Sequence, residues 1–292
     1  MTVSRFRAFI AVADFGSFTK AAAMMNYTQP AVSHLITSLE NELGIELFIR
    51  TKNGAKLTPE AEVILPHIRE LIKNEDHVYD ISHEISGINE GRMNIGTFTS
   101  VALKWIPDLL ADYYALYPGV EIQIKNGNYT QIERYLRNCT TILAFTPRKN
   151  NPEFDYIFLK NDSYVAVLPA NHPLADRKLL RPQDLADENV ILPAEGNDYD
   201  LANILKMMGK VPRILYDMND DMAAVGMVRA GHGISFLPAL LLEDYPVEGI
   251  AKVPIEGITR EICLAHLKDG YLGPRSKGFI DLCLSKYGQK AE

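Results

Sequence analysis

The chain has 292 residues, of which 47% are hydrophobic and 23% charged, and its formal net charge at pH 7 is −7. This composition is ordinary for a folded protein and excludes fibrous and intrinsically disordered chains. No stretch approaches the roughly 20 apolar residues that span a bilayer, and Asp14 interrupts the N-terminal stretch too early for a secretory signal. The sequence therefore predicts a cytoplasmic protein with no membrane partner.

The cysteines and the distribution of charge indicate which disulfide, metal and nucleic-acid sites the chain could form. Cys139, Cys263 and Cys283 are odd in number and far apart, which argues against a disulfide framework or a zinc site, so we expect reduced thiols and no metal. The first sixty residues hold six Lys or Arg and five Asp or Glu, so the acidic excess lies elsewhere. Because nucleic acids bind local positive charge, the net charge does not exclude DNA binding by this segment.

Two amphipathic helices are predicted before residue 27. Apolar residues at helical spacing begin at Val3 and stop at Gly16, where a glycine favours the end of a helix. Ser17 then caps a second, shorter helix that ends near Asn26. Its apolar face is rich in alanine, which allows close packing on a neighbouring helix.

A third helix follows almost at once, with Thr28 as its cap and Pro30 in its first turn. An apolar stripe is predicted on one face, formed by Val32, Leu35, Ile36, Leu39 and Leu43. The opposite face carries short polar side chains, namely Gln29, Ser33, His34 and Thr37. Such side chains hydrogen-bond base edges or phosphates, so the pattern indicates a helix-turn-helix, with a small helical bundle as the alternative.

A basic hairpin is predicted after the third helix. Asn53 and Gly54 form the strongest short-range hairpin signal, and Arg50, Lys52 and Lys56 flank it. We interpret the hairpin as a wing beside the polar helix face. The alternative is an ordinary solvated surface hairpin.

At this point the residues resemble a known family. The winged helix-turn-helix of LysR-type transcriptional regulators is similar almost position for position to the run Ser17-Phe-Thr-Lys-Ala-Ala, Thr28-Gln-Pro-Ala-Val-Ser33, Leu39-Glu40, Leu43-Gly44, Leu47-Phe48-Ile-Arg50 and Leu57-Thr58-Pro59. The resemblance implies that the second helix of the motif lies in the major groove of double-stranded DNA. The predicted DNA-contacting set is Ser17, Thr28, Gln29, Pro30, Ser33, His34, Thr37, Arg50, Lys52 and Lys56.

A long helix connects this segment to the rest of the chain. Thr58 and Pro59 are typical of a helix start. Apolar residues then recur at steps of three and four until the glycines near residue 90, namely Ala61, Ile64, Ile68, Leu71, Val78 and Ile85. A stripe of this period favours a partner helix, and the family uses this helix to form homodimers; a helix that lies on its own domain is the alternative.

Residues 92–292 alternate between short strand patterns and helical patterns, which predicts α/β layers with a largely parallel sheet. Strands are predicted at 120–125, 141–145, 164–168, 214–216, 234–237 and 262–267, and helices at 101–116, 130–137, 199–208, 220–229 and 274–287. This part of the chain resembles the LysR effector domain in the phrases Leu116-Tyr-Pro118-Gly-Val120, His172-Pro-Leu-Ala175 and Val228-Arg-Ala-Gly231-His-Gly-Ile234-Ser-Phe-Leu-Pro238.

The predicted fold is an N-terminal winged helix-turn-helix (α with a small β-wing), a long linker helix, and a two-lobed α/β effector domain like a periplasmic binding protein. The predicted domains are residues 1–58, a linker and dimerisation helix at 59–91, and an effector-binding domain at 92–292. Within the last, lobe one is predicted at 92–161 plus 268–292 and lobe two at 162–267, joined by two crossing strands.

A small-molecule effector, which we expect to be anionic, is predicted to bind between the lobes. Thr99 and Ser100 follow the strand pattern that begins at Met93-Asn-Ile-Gly96, and they open the next helix, where hydroxyls and free N–H groups hold an anion; plain helix capping is the alternative. The resemblance adds Asn128, Thr146, Arg148, Asn197 and Phe236 to this effector site. It also places Thr141 where the family usually has an aspartate.

No catalytic motif is found, so we expect no enzyme, no catalytic residue and no cofactor. The hypothesis we favour is a DNA-binding regulator controlled by its effector, acting as a homodimer or a dimer of dimers, with RNA polymerase as a candidate partner. Two other hypotheses are a solute-binding module whose N-terminal helices contact proteins, and an enzyme that acts in the interlobe cleft.

Overall fold

The computed structural model describes residues 2–51, 54–86, 91–193, 198–209, 212–218 and 220–289. Its Cα positions divide the chain into two compact units, Met1–Tyr79 and Asp80–Glu292. The first unit is built from α1 (Thr2–Phe15), α2 (Phe18–Met24), α3 (Gln29–Leu43), the antiparallel hairpin β1 (Phe48–Thr51) and β2 (Gly54–Leu57), and the first part of α4 (Pro59–Ile85).

Side-chain caps and glycines mark the helix ends of the first unit, as the sequence predicts. The hydroxyls of Ser17 and Thr28 accept hydrogen bonds from the backbone N–H groups of Lys20 and Ala31 at the starts of α2 and α3. Gly44 ends α3 with φ of 72°, a left-handed conformation that favours glycine. The caps at Ser17 and Thr28 fix where α2 and α3 begin, and Gly44 fixes where α3 ends. Together they define the two helices of the helix-turn-helix.

The apolar faces of α1, α2, α3 and the hairpin enclose one small core. Val32, Ile36 and Leu39 of the predicted α3 stripe are buried, but Leu43 is 40% exposed. The stripe therefore ends one turn earlier than predicted, because α3 stops directly after Leu43 and the chain turns away at Gly44. The other buried core residues include Ala8, Phe9, Val12, Ala21, Leu47 and Phe48.

Helix α4 has two different halves. Near its start, Ala61 and Ile68 are buried in the core of the first unit. Further along, Leu71, Val78 and Ile85 are 42%, 64% and 64% exposed. The first half of α4 therefore packs on its own unit, as the second of the two alternatives predicts, and the second half exposes an apolar stripe.

The second unit alternates strands and helices. Its elements, besides a short 3-10 turn at Pro182–Leu185, are β3 (Gly91–Thr97), α5 (Thr99–Lys104), α6 (Ile106–Leu116), β4 (Val120–Asn126), α7 (Tyr129–Arg137), β5 (Leu143–Pro147), β6 (Phe154–Pro169), β7 (Asn189–Leu192), α8 (Asp198–Met207), β8 (Arg213–Asp217), α9 (Asp221–Arg229), β9 (Ser235–Pro238), α10 (Ala239–Leu242), β10 (Ile250–Leu267) and α11 (Pro274–Tyr287). The helix predicted at 101–116 is two helices that meet at Trp105, whose buried ring stacks on Tyr287.

The main sheet is mixed rather than largely parallel. Six strands are hydrogen-bonded in the order β4-β3-β5-β10-β6-β9, and only the β3–β4 and β3–β5 pairs are parallel. The difference arises from β6 and β10, which have 16 and 18 residues and pair antiparallel along most of their length. Polar residues in the middle of each strand divide its apolar pattern, so the sequence predicts only short pieces of each.

Strands β6 and β10 run through more than one hydrophobic core. Phe154 and Leu159 of β6 belong to the core formed with β3, β4, β5 and α11, whereas Tyr164, Ala166 and Leu168 belong to a core on the other side of the junction. Strand β10 divides in the same way, since its residues 253–258 pack in the second core and its residues 262–265 in the first. The segments 160–163 and 259–261 therefore form the junction between two lobes.

The contact between the wing and the end of α1 generates a stability prediction. A Cβ added to Gly54 would lie 2.2 Å from the Gly16 carbonyl oxygen, and Gly54 has φ of +137°. Gly44 has φ of +72°, but a Cβ there meets nothing within 4 Å. We expect Gly54→Ala to lower the free energy of unfolding of the first unit by about 3 kcal/mol or more, and Gly44→Ala by about 1 kcal/mol.

Urea unfolding followed by circular dichroism measures both variants. Gly44→Ala is the matched control, since it adds the same methyl group at a left-handed position without the clash. Equal destabilisation by the two substitutions would contradict the close contact between the backbone of residue 16 and the hairpin.

Candidate functional site

The polar face of α3 lies on the surface of the first unit. Pro30, His34 and Thr37 are exposed, and they recur at helical steps of three and four along one face. Gln29 and Ser33 on the same side are half-buried. The structure thus brings together the five side chains of α3 that the sequence assigns to DNA contact.

The predicted phosphate contacts lie beside this face. Thr28, which caps α3, is exposed, and Ser17, which caps α2, is half-buried. Lys56 is exposed on β2 of the hairpin. Arg50 pairs through its backbone with Ala55 in the hairpin register, while Lys52 lies outside the described residues.

Several bases of the first unit are engaged in intramolecular ion pairs. Arg5 contacts Glu42 at 2.6 Å, and Arg7 contacts Glu75 at 2.9 Å. Arg69 of α4 pairs with Asp14 of α1. These partly exposed pairs fasten α1 to α3 and α4, each with a stabilisation of roughly 0–1 kcal/mol.

In the second unit, a buried arginine lies at the junction of the two lobes. Arg260 of β10 and Asp162 of β6 are directly opposite in the antiparallel register, and their side chains are 2% and 4% exposed. Arg260 Nε and Nη2 donate to Asp162 Oδ2 at 3.0 and 2.7 Å. Nη1 donates to the Tyr129 hydroxyl at 2.6 Å, and Nη2 also donates to Ser100 Oγ at 2.7 Å.

The surroundings of Arg260 favour its charged form. Burial alone lowers the pKa of a guanidinium, but the electrostatic interactions with Tyr129, Tyr164 and Asp162 and the hydrogen bonds to Asp162 outweigh it and raise the pKa of Arg260 above its usual range. The guanidinium also lies over the Phe98 ring, 4.8 Å from its centroid. The site therefore keeps a permanent buried cation that is held in place by both long strands and by the first lobe.

The predicted effector residues have different environments. Ser100 is buried and accepts from Arg260, whereas Thr99 beside it is exposed. The structure gives α5 no side-chain cap, so Ser100 bonds the guanidinium instead of capping the helix. Asn128 caps α7 directly before Tyr129, and its side chain accepts from the Gln131 N–H.

The remaining predicted effector residues are more dispersed. Arg148 is 49% exposed and forms a 2.7 Å ion pair with Glu261, the neighbour of Arg260 on β10. Thr146 is buried and donates to the Pro147 carbonyl. Phe236 is fully buried in the core of the second lobe, so its side chain is not brought to Ser100; Asn197 lies outside the described residues.

Arg260 and Asp162 are the functional candidates that the sequence analysis missed. A signal for them is present, because Arg260 interrupts the apolar run of β10 and Asp162 stands before the apolar run Tyr164–Leu168. Isolated charges of this kind are ordinarily assigned to the solvent side of a strand. Only the pairing of the two strands shows that the charges face each other in the interior.

Cys263 and Cys283 are buried, and Cys139 is half-buried. Burial raises the pKa of the Cys139, Cys263 and Cys283 thiols, which keeps them protonated and weakly nucleophilic at neutral pH. Among the described residues, no cluster of three His, Cys, Asp or Glu could hold a metal ion. Within the same part of the chain, none of the helices has the length and apolar character needed to cross a membrane.

Matches to known proteins extend over almost the full length of the chain. The family model of the bacterial regulatory helix-turn-helix protein, lysR family, matches residues 3–62, and that of the LysR substrate binding domain matches residues 86–288. YvbU of Bacillus subtilis (strain 168), an uncharacterised HTH-type transcriptional regulator, is 30% identical over 301 residues and 99% of both chains. GltC of the same organism, a transcriptional dual regulator, is 28% identical over 295 residues, which are 99% of this chain and 98% of its own.

Solved structures with the same fold include full-length regulators. Full-length CbnR complexed with its target DNA has a TM-score of 0.75 at 20% identity, and the match covers 98% of this chain and 99% of CbnR. Full-length BenM has a TM-score of 0.60 at 24% identity, with coverage of 98% and 96%. With its helix-turn-helix, its two-lobed effector-binding domain and these relatives over its full length, the chain belongs to the LysR family of transcriptional regulators.

Proposed function

We propose that this LysR-type regulator binds a palindromic DNA site as a homodimer, and that a small anionic metabolite held between its two lobes controls that binding. The observation that carries the proposal is the exposed polar face of α3 beside a basic hairpin. The effector-binding domain binds the ligand, and the helix-turn-helix binds the DNA. The ligand can control DNA binding only if it binds one arrangement of the protein more tightly than the other.

The DNA contacts divide by chemistry. His34 and Thr37 are exposed on α3 and have donors and acceptors for base edges, while Lys56 has only a charged ammonium for phosphates. The predicted set also includes Arg50, whose strand lies in the hairpin. The solved complex of CbnR with its target DNA supports the use of this fold on double-stranded DNA.

Dimerisation is assigned to the second half of α4. Ile64, Leu71, Val78 and Ile85 follow one another at intervals of seven residues, and the last three are exposed. A seven-residue repeat brings apolar side chains to one line of a helix, which is buried by a second helix in a coiled coil. We further propose that two dimers assemble into a tetramer, with RNA polymerase as a partner at the promoter.

The effector is assigned to the junction between the lobes, where Arg148 supplies an exposed guanidinium and Arg260 contributes a buried positive charge. Asn128 and Thr99 add neutral polar groups from the first lobe. An anion favours such a site because charge-assisted hydrogen bonds to guanidinium groups are stronger than neutral ones. We propose that the ligand is bound and released unchanged, as a regulator in the cytoplasm requires.

Two substitutions distinguish base recognition from phosphate contact. The operator is first obtained by sequencing the genomic fragments that the purified protein retains at near-physiological salt. His34→Ala should then cost about 1–3 kcal/mol on the operator and relax the preference at one base position. Lys56→Ala should weaken binding to all sequences alike and reduce the slope of log affinity against log salt by about one.

Fluorescence anisotropy on the operator and on random DNA measures both effects. His67→Ala is the matched control for His34, since His67 is also exposed but lies on α4. If His34→Ala and Lys56→Ala both bind like the unaltered protein, the assignments of α3 and the hairpin are wrong.

A single charge on the exposed stripe of α4 should prevent dimerisation. Val78→Glu places a carboxylate where the partner helix would bury it, so we expect the dimer dissociation constant to rise at least about 100-fold, while the exposed position preserves the fold. Val63→Glu is the control, because Val63 is 69% exposed on the same helix but lies off the seven-residue line. Analytical ultracentrifugation measures both; equal effects would contradict the assigned interface.

The effector site is tested with two similar arginines. Arg148 and Arg137 are 49% and 45% exposed, and each pairs with a glutamate at 2.7 and 2.8 Å. For a carboxylate that raises the melting temperature in a metabolite screen, we expect Arg148→Gln to weaken binding about 10- to 100-fold and Arg137→Gln to leave it unchanged. An anion that binds both variants as tightly as the unaltered protein would exclude Arg148 from the site.

A further inference from the structure

The last turns of α3 are held to the first unit by polar contacts. Leu39 is the last residue of α3 whose side chain is buried in the core of that unit. Beyond it, Glu40 Oε1 accepts from the Leu47 N–H at 2.8 Å, and Glu42 Oε2 lies 2.6 Å from Arg5 Nη1. The position of the C-terminal half of α3 therefore depends in part on two carboxylates, of which one is held just before the hairpin and the other by α1.

Arg5 of α1 contacts two residues of α3 that are one helical turn apart. Its Nη1 donates to Ser38 Oγ at 3.1 Å and lies 2.6 Å from Glu42 Oε2, so the two N–H groups of one nitrogen serve two acceptors. The planar guanidinium keeps its donors in a fixed geometry, which the ammonium of a lysine does not. The Arg5 side chain is 19% exposed, so little solvent competes for these contacts.

The two acceptors continue a line of α3 that begins at a side chain assigned to base recognition. Residues four apart in a helix lie one turn above each other on the same face, and His34, Ser38 and Glu42 have this spacing. We propose that Arg5 is a positioning residue for sequence recognition: it fixes the rotation of α3 about its own axis, and thereby the direction of the His34 side chain. This inference rests on the proposed contact of His34 with a base.

Helix α1 gives Arg5 a fixed base from which to act on α3. Ala8, Phe9 and Val12 are fully buried in the core of the first unit, and Phe9 lies one turn after Arg5 on the same helix. A recognition group must be held to within about 0.5 Å and roughly 10–20° of its productive geometry. A contact that adds little to stability can therefore have a large effect on which base sequence is bound.

The signs of the two charges distinguish positioning from simple attraction of DNA. Arg5→Gln removes a positive charge and Glu42→Gln removes a negative one, so their effects on the attraction of phosphates are opposite. Both substitutions break the same contact, so their effects on the orientation of α3 are alike. Loss of operator preference in both variants is therefore specific to a positioning role.

The test is fluorescence anisotropy of the full-length protein on the operator and on random DNA. We expect Arg5→Gln and Glu42→Gln each to lower the ratio of operator affinity to random-DNA affinity about five- to tenfold, and the double variant to lower it no further. The charge exchange of Arg5→Glu with Glu42→Arg should restore most of the ratio. Arg7→Gln is the matched control, because Arg7 is also on α1 but pairs with Glu75 of α4 at 2.9 Å, so its loss should leave the ratio unchanged.

Two results would overturn the positioning role directly. Equal weakening of both DNAs by Arg5→Gln, with the slope of log affinity against log salt reduced by about one, would mean that Arg5 binds a phosphate. Tighter binding of all sequences by Glu42→Gln, with the ratio unchanged, would mean that Glu42 only repels DNA. Glu42 is 44% exposed, so this variant keeps its fold and decides the question even if thermal melting shows that Arg5→Gln is unstable.

The His34→Ala variant separates this inference from the proposed function. A ratio that falls in His34→Ala but is retained in both Arg5→Gln and Glu42→Gln overturns the positioning role and leaves the base contact intact. A ratio that is retained in His34→Ala overturns the base contact, and with it the inference that rests on it.

Discussion

A charge buried in a protein must be compensated, and in the second unit this requirement determines how the two lobes are joined. Arg260 is compensated by Asp162 on the neighbouring strand and bonded to Ser100 and Tyr129 of the first lobe. Removal of one partner from such a pair typically costs about 3–5 kcal/mol, because the other charge remains buried. Since the pair lies where β6 and β10 pass from one core to the other, the lobes cannot change their relation without altering these hydrogen bonds.

The first unit depends on a different element, the first half of helix α4. Its small core needs the first half of α4 for burial, as Ala61 and Ile68 demonstrate, and the ion pairs of Arg7 and Arg69 fasten that half to α1. In the second half of α4, Leu71 and Val78 are 42% and 64% exposed, so the core of the first unit does not bury its apolar stripe. One helix thereby stabilises the first unit and exposes the apolar stripe that we assign to dimerisation.

Local patterns were sufficient for most of the elements but not for the junction. The caps at Ser17 and Thr28 and the glycine at residue 44 involve neighbours along the chain, so the sequence predicts the helix-turn-helix closely. The antiparallel pairing of β6 with β10 depends on partners almost a hundred residues apart, as between Asp162 and Arg260, and no local period reveals it. The resemblance, and not a local pattern, assigns Phe236 to the effector site, whereas its strand pairs with β6 and its ring is buried in a core.

The Asp162 carboxylate at the junction contacts both Arg260 and the backbone of α10. If Asp162 served only to neutralise Arg260, the backbone of α10 would be free to move independently of the first lobe. Its second oxygen instead accepts the Leu240 N–H, and Leu240 packs in the first core while Leu241 and Leu242 pack in another. A displacement of α10 would therefore alter the packing of both cores and the hydrogen bonds of the Arg260 guanidinium.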